Sequence, residues 1–138
     1  MSHIFSKSLF TIGILFLATL SRKAQAQTRL DLVGSWELQY TLGKQGIPCR
    51  LPSQKDTLIL SADGTFQWHW GAESLLGEWR VEAGKLIQYN CRPVGYEGTV
   101  MDHSYPIIFK DSLLNLREAE GGDTPCFDLF YKKVGARL

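Results

Sequence analysis

The residues of this chain that are able to do chemistry include a short polar run, Asp102-His103-Ser104. It contains the three side-chain types of a nucleophile–base relay. Side chains alternate along an extended strand, so His103 points away from both neighbours and the three cannot form that relay among themselves. The sequence also has no Gly-x-Ser-x-Gly, no His-Glu-x-x-His and no glycine-rich phosphate loop. We therefore predict that the protein is not an enzyme.

Histidine and cysteine are the other residues that could hold a cofactor. His69 lies between Trp68 and Trp70, so it faces solvent if the two tryptophans face inward. A metal site usually needs three or four converging ligands. The chain has three cysteines, and in an exported protein these more often oxidise than bind zinc. We predict no metal and no cofactor.

The first 26 residues have the pattern of a secretory signal peptide. Lys7 precedes an apolar run from Leu9 to Leu20, and Ala24-Gln25-Ala26 fits an A-x-A cleavage site. That run is roughly a dozen residues, whereas a membrane-spanning helix needs about 20. We predict a signal peptide over 1–26 and one domain over 27–138, exported to the periplasm or secreted, with no integral membrane segment in the mature chain.

The charge of the predicted mature domain gives little indication of a macromolecular partner. The full chain has 15 Lys and Arg against 14 Asp and Glu, and the signal peptide contains Lys7, Arg22 and Lys23. Its removal leaves a small acidic excess and no basic patch. A nucleic acid is therefore not predicted as a partner, and a protein partner is not identified.

Short stretches of period-two alternation recur through the mature chain, which is typical of β-strands. Asp63-Gly64 is a strong hairpin signal, because glycine accepts the positive φ of such turns. Arg29 to Val33 could form one helical turn before the first strand. The pattern predicts an all-β domain of eight strands in an up-and-down antiparallel barrel, with a β-sandwich as the alternative. The eight segments lie near residues 35–41, 58–60, 66–70, 78–82, 86–90, 99–109, 113–116 and 127–132.

Four motifs, which together span nearly the whole mature chain, carry a resemblance to a known family. They are Leu32-x-Gly34-x-Trp36; Leu58-x-Leu60-x-x-Asp63-Gly64-Thr65-Phe66; Gly77-x-Trp79-x-Val81 with Gly84-Lys85-Leu86; and Leu129-Phe130-Tyr131-Lys132. The chain resembles the lipocalin-like proteins with a calycin-type barrel, especially the short exported bacterial ones.

The resemblance implies several structural features. Gly34 and Trp36 plug one end of the barrel, and the other end is an open mouth. Eukaryotic lipocalins add a helix after the last strand, but too little chain follows here, so no C-terminal helix is expected. They also place a late arginine against the first-strand tryptophan, and Arg137 is the late candidate in this chain.

Strand order in an up-and-down barrel gathers Cys49, Cys91 and Cys126 at the mouth, because odd strands end where even strands begin. The first and last strands pair, which favours a Cys49–Cys126 disulfide in an oxidising compartment. The alternatives are a bridge from Cys91 to either of the others, or three reduced thiols. Cys91 would then be the odd thiol. It is either a small, partly buried residue or a reactive thiol that forms a mixed disulfide, in which case Arg92 beside it could favour the thiolate.

The inward face follows from the resemblance, which turns Trp36, Leu38 and Tyr40 into the barrel. Tyr40 and Trp70 should lie toward the mouth, and Trp36 and Phe66 toward the closed end. The candidate ligand-binding residues are Tyr40, Trp68, Trp70, Trp79, Tyr89 and Phe127.

An eight-stranded barrel can hold one small ligand or be filled by its own side chains. The first hypothesis is a non-enzymatic carrier of a small apolar or aromatic ligand that enters between the mouth loops. The alternative is a filled barrel that acts as a protein-interaction or structural module through those loops. The loops are predicted at residues 42–54, 71–75, 91–98 and 118–125.

Overall fold

A computed structural model of the chain describes residues 5–43, 46, 55–117 and 126–135. One helix precedes eight strands that form a closed barrel, each strand antiparallel to its neighbours. The prediction of an eight-stranded antiparallel barrel is confirmed, and the sandwich alternative is wrong. In the described part of the chain no helix follows the last strand. The elements are α1 (Phe5–Leu32), β1 (Gly34–Gly43), β2 (Asp56–Leu60), β3 (Thr65–Trp70), β4 (Glu73–Glu82), β5 (Lys85–Pro93), β6 (His103–Lys110), β7 (Leu113–Arg117) and β8 (Cys126–Gly135).

The two ends of the barrel differ in how they are covered. At one end, which we call the closed end, lie the start of β1 and the turns at residues 61–64, 83–84 and 111–112. At the other end, the mouth, lie the β3–β4 turn at 71–72 and the β5–β6 loop at 94–102. The last turn of α1 lies against the closed end, where Leu32 is fully buried. Val33 N–H donates to the Arg29 carbonyl, so the helical turn predicted there is present.

Large apolar side chains fill the barrel interior. Aromatic rings from five different strands are buried in one continuous core with the leucines of β2 and β7. Such filling removes apolar surface from water, which is the main driving force for closing the sheet. The buried aromatic members of this core are Trp36, Phe66, Trp68, Trp79, Tyr105 and Tyr131.

Strand β1 does not keep one face inward along its whole length. Its pairing with β8 shifts register between Leu38 and Tyr40, and such a β-bulge reverses which side chains face the core. Thr41 is therefore buried, while Tyr40 is 40% exposed and stacks on Phe130 at 4.4 Å between ring centroids. The predicted inward placement of Tyr40 is wrong because of this bulge.

The helix α1 continues through Ala26, where signal cleavage is predicted. Arg29, Asp31 and Leu32 all contact the closed end and follow that position, so these contacts would remain in a cleaved chain. Among the described residues, no helix combines the length and the hydropathy that crossing a membrane requires.

Gly77 in β4 is a close-packed point of the sheet. A Cβ added there would lie 2.7 Å from Phe66 Cε1 and 2.8 Å from the Tyr89 carbonyl oxygen. Neither the ring nor the backbone can move without disturbing the core, so we expect Gly77→Ala to lower the free energy of unfolding by about 1–3 kcal/mol. Urea unfolding followed by tryptophan fluorescence measures this. Gly135→Ala, whose Cβ would meet no atom within 4 Å, is the control, and equal losses in the two variants would contradict the packing described here.

Candidate functional site

An open pocket of about 960 Å³ lies at the barrel mouth. It is bounded by Trp70 and Leu75 from the β3–β4 hairpin, by Pro93 and His103 from β5 and β6, and by loop residues 94–100. Small-molecule sites usually enclose about 300–1,000 Å³ and have mostly apolar walls with a few polar groups. The size and the lining of this pocket therefore fit a small organic molecule.

Trp70 connects this pocket to the barrel interior. Its indole is 36% exposed, and its Nε1–H donates to Glu73 Oε2 at 2.7 Å. The ring also makes an edge contact with Trp68, at 5.8 Å between centroids, and Trp68 is buried. Trp70 is thus held in place on both sides while one part of the ring faces the pocket. Its predicted position near the mouth is confirmed.

A partly buried polar cluster lies on the strand next to Trp70. Asp56 opens β2 opposite Trp70, and its Oδ1 accepts hydrogen bonds from Trp68 Nε1 at 2.7 Å and from the Tyr131 hydroxyl at 3.2 Å. Burial raises the pKa of the Asp56 carboxyl, and the two hydrogen bonds only partly oppose that effect. The pKa of Tyr131 is raised well above its usual range, mainly by burial and to a smaller extent by the Asp56 charge.

Sequence reasoning did not identify Asp56, although a signal for it exists. Asp56 is separated by two and four positions from Leu58 and Leu60, which are fully buried. Residues at this spacing share one face of a strand. The same alternation that puts the two leucines in the core therefore directs Asp56 inward.

The Asp56 environment gives stability a defined pH dependence. Because the folded-state pKa lies above the ordinary value of 3.8, this carboxyl contributes stability below that value, and the contribution is lost as pH rises through the folded pKa. We expect Asp56→Asn, which keeps an acceptor oxygen, to be more stable than the parent at neutral pH. The difference should vanish as pH falls below about 4.

Thermal unfolding of both proteins between pH 3 and pH 8 measures this difference. Asp63→Asn is the opposite control, because hydrogen bonds from Thr65 lower the pKa of the exposed Asp63 carboxyl. That variant should lose stability relative to the parent as pH rises. A pH-independent effect of Asp56→Asn would contradict the burial of its charge.

Two more buried polar side chains face the barrel interior. Gln88 is fully buried, and Thr41 is 4% exposed. Within the described part of the chain, neither the Gln88 amide oxygen and nitrogen nor the Thr41 hydroxyl has a hydrogen-bond partner. Buried polar groups without partners are rare in proteins and costly. The interior of this barrel is therefore less apolar than its aromatic content alone indicates.

Two of the other predicted ligand-binding residues, Trp79 and Tyr89, lie away from the mouth pocket. Trp79 is buried at the closed end, where its Nε1–H donates to the Ser61 carbonyl at 2.9 Å and the Arg29 guanidinium lies 4.4 Å above its ring. Tyr89 is on the outer face, 4.8 Å from the Arg80 guanidinium. Its predicted inward placement is wrong. The side chain of Phe127 lies outside the described residues.

Tyr89 faces outward because the even-numbered residues Leu86 and Gln88 of β5 face the barrel interior. Leu86 pairs with Val81 and with Tyr105, and Leu86, Gln88 and Tyr105 are all buried. Cross-strand partners share a face of the sheet. Tyr89 is one position out of phase with this set and therefore lies on the outside of the barrel.

Gly34 and Trp36 occupy the predicted position at the closed end. Trp36 is buried and its Nε1–H donates to the Leu32 carbonyl at 2.8 Å. Gly34 has a φ of 142°, and a Cβ there would lie 2.7 Å from Lys133 Cε. Lys133 Nζ lies 5.3 Å from the Trp36 ring, so a late cation does contact this tryptophan. The predicted candidate, Arg137, lies outside the described residues.

The cysteine predictions are tested only at Cys91. Cys91 is a free and fully buried thiol near the mouth end of β5. Burial, reinforced by the Asp102 charge, raises its pKa to about 11. Of the two interpretations, the buried residue therefore fits and the reactive thiolate does not. Cys49 lies outside the described residues, and only the backbone of Cys126 is described, paired with Gly43. The Cys49–Cys126 disulfide stays a prediction.

The histidine predictions concern the outer surface and the mouth. His69 alternates with the buried Trp68, and its Nδ1 lies 2.7 Å from Ser74 Oγ. His103 stacks on Tyr105 at 6.1 Å between centroids and borders the pocket. Among the described residues, no three histidine, cysteine or acidic side chains are grouped as a metal site would require.

Comparisons with other proteins do not assign the chain to a family. No protein-family model matches the chain, and neither a curated protein nor a solved structure matches it significantly. The function must therefore be argued from the mouth pocket and the polar cluster beside it.

Proposed function

We propose that this protein is an exported, lipocalin-like binding protein that takes up a small apolar or aromatic ligand at the mouth of its barrel. The observation that carries the proposal is the pocket of about 960 Å³ between Trp70, Leu75 and Pro93. Burying apolar ligand surface there contributes roughly 25 cal/mol per Å². The N-terminal pattern of residues 1–26 supports export.

The packing of the interior limits how deep such a ligand sits. Phe66, Trp68 and Tyr131 are buried below the mouth and already occupy the middle of the barrel. The ligand therefore binds above Trp68, with the exposed part of Trp70 as its main aromatic contact. Trp79, at the closed end, would not touch it.

We expect an uncharged probe, 4-phenylbutanol, to bind the intact protein, and Trp70→Ala to weaken that binding about tenfold or more. The loss of one stacked aromatic wall accounts for at least 1.4 kcal/mol, which corresponds to a factor of ten. Isothermal titration calorimetry measures both affinities. Tyr40→Ala is the matched control, because Tyr40 is also an exposed aromatic residue but lies on the outer face. Equal binding by the parent and Trp70→Ala would contradict the site.

A second function is favoured by the exposed apolar side chains of the β5–β6 loop. Tyr96 is 74% exposed and Met101 is 84% exposed, with Val94 and Val100 also exposed on the same loop. Exposed apolar clusters of this kind mark protein-interaction surfaces. Under this alternative the barrel is a scaffold, small probes do not bind, and cross-linking in the native envelope recovers a protein partner. Combined Tyr96→Ser and Met101→Ser substitutions would abolish that capture.

A further inference from the structure

One of the two carboxylate oxygens of Asp56, Oδ2, is available to accept a hydrogen bond from a ligand. Both hydrogen bonds from the cluster go to Oδ1, and no hydrogen bond to Oδ2 occurs from any described residue. Lys55, its neighbour in sequence, is 84% exposed at its side chain and lies 3.9 Å from Glu37 instead. Within the described part of the chain, Asp56 has no cationic partner. A partly buried carboxylate that no lysine or arginine of the described residues pairs with is well placed to attract a cation from a ligand.

Aromatic rings surround this carboxylate, with Trp70 on the side of the mouth and the buried Trp68 and Tyr131 on the side of the barrel interior. Trp70 is the cross-strand partner of Asp56, and Trp68, which donates to Asp56, makes edge contacts with Trp70, Tyr105 and Tyr131 at 5.8, 6.0 and 6.4 Å. The faces of such rings carry negative electrostatic potential and attract organic cations within about 6 Å. A carboxylate and indole rings placed together are a combination that favours ammonium groups.

The charged residues that line the mouth pocket also favour a cation. Glu73 and Glu97 both line it, whereas no lysine or arginine of the described residues does. The remaining ionisable wall residues are His103 and Tyr96. Carboxylates on the pocket walls raise the local concentration of cations and repel anions.

We propose that the mouth site is selective for an organic cation: an apolar or aromatic body that carries an amine. The Trp70 indole lines the pocket and is its aromatic wall, and the counter-charge is the carboxylate of Asp56, which is not itself a lining residue but is the cross-strand partner of Trp70. This inference rests on the binding function proposed above and names the chemical class of its ligand. The apolar body lies against Trp70 and Leu75, and the ammonium is directed toward β2, where Asp56 begins the strand.

Three probes with one hydrocarbon body test this preference: 4-phenylbutylamine, 4-phenylbutanol and 4-phenylbutyrate. Calorimetric titration of the full domain at neutral pH and low salt should give the amine an affinity at least about tenfold above the alcohol. The carboxylate probe should bind at least about tenfold more weakly than the alcohol. An amine that binds no more tightly than the alcohol would overturn the proposal.

The variant Asp56→Asn tests whether the preference for the amine over the alcohol depends on the Asp56 charge. It keeps an oxygen for the Trp68 and Tyr131 hydrogen bonds, so we expect a folded protein whose affinity for the amine falls to that for the alcohol. Affinity for the alcohol should stay within about twofold. Asp111→Asn removes the same charge from the exposed β6–β7 turn at the closed end and should leave all three affinities unchanged. A preference for the amine that persists in Asp56→Asn would refute the role of this carboxylate.

The three affinities distinguish a failure of the cation selectivity from a failure of small-molecule binding as such. Binding of the alcohol without a gain for the amine overturns only the charge selectivity. Failure of all three probes to bind the folded protein overturns the binding function and, with it, the selectivity. Both outcomes are measured on the unmodified protein, so neither depends on the folding of a variant.

Discussion

Trp36→Ala is expected to lower the free energy of unfolding by about 3–5 kcal/mol, the usual cost of removing a large buried aromatic side chain. Trp36 is buried where the closed end begins, beneath the last turn of α1. Its loss opens a cavity and leaves the Leu32 carbonyl, which accepts the indole N–H at 2.8 Å, without that partner. The substitution also removes the ring beside the Lys133 ammonium.

Urea unfolding followed by far-ultraviolet circular dichroism measures this loss without relying on the mutated fluorophore. Trp70→Ala is the matched control, because it removes an identical side chain that is 36% exposed. We expect it to cost less than half as much, since much of the indole already faces water. Similar losses in the two variants would show that the closed end does not anchor the fold.

Gln88→Met is expected to raise the free energy of unfolding, by about 2–4 kcal/mol. Gln88 is fully buried and neither polar atom of its amide has a partner among the described residues. Each buried polar group left unpaired costs roughly 1–3 kcal/mol. Methionine has a similar length and an apolar, adaptable side chain, so it fills the same space without this penalty.

Thermal and urea unfolding measure the gain, and Gln67→Met provides the comparison. Gln67 is an exposed residue of β3, so its replacement should change stability by no more than about 0.5 kcal/mol. A loss of stability in Gln88→Met would mean that the amide makes a hydrogen bond in the barrel, for example to a bound water or ligand. The interior would then be more polar and more accessible than described.

The sequence was sufficient to predict the sheet because strand alternation is a local signal. Residues such as Phe66, Trp68 and Trp70 show the face of β3 directly, and Asp63-Gly64 marks the turn that precedes it. Closure followed from eight consecutive antiparallel strands, since a barrel leaves no edge unpaired. The plug formed by Gly34 and Trp36 depended on the resemblance to lipocalin-like proteins.

The placements of Tyr40 and Tyr89 were wrong because the sequence does not show where a strand shifts register or which of its two faces points inward. In β1 the bulge between Leu38 and Tyr40 adds a residue that no periodic pattern reveals, and it turns Tyr40 outward. In β5 two phases were available: Leu86 with Gln88, or Ile87 with Tyr89. Hydrophobicity favours the second, but pairing with the buried Tyr105 selects the first.

The polar part of the candidate site was missed for a related reason. The sequence pattern did not single out Asp56, because burying a carboxyl group is costly and a charged residue is not expected in the core. Alternation with Leu58 indicates the face of Asp56, but only tertiary structure shows that Trp68 and Tyr131 donate hydrogen bonds to it. The mouth pocket itself depends on how the β5–β6 loop folds back, with Val94 N–H bonded to Ser74 O and Val100 N–H to Cys91 O.

We expect a small molecule to bind at the mouth and not inside the closed end, and the four tryptophans of the chain report on both places. Trp68 and Trp70 lie toward the mouth, whereas Trp36 and Trp79 lie at the closed end. An NMR titration of the four ¹⁵N-labelled indole groups with 4-phenylbutylamine should shift the Trp70 and Trp68 signals and leave the other two in place. Shifts confined to Trp36 and Trp79, or no shift at all in the folded protein, would contradict this account.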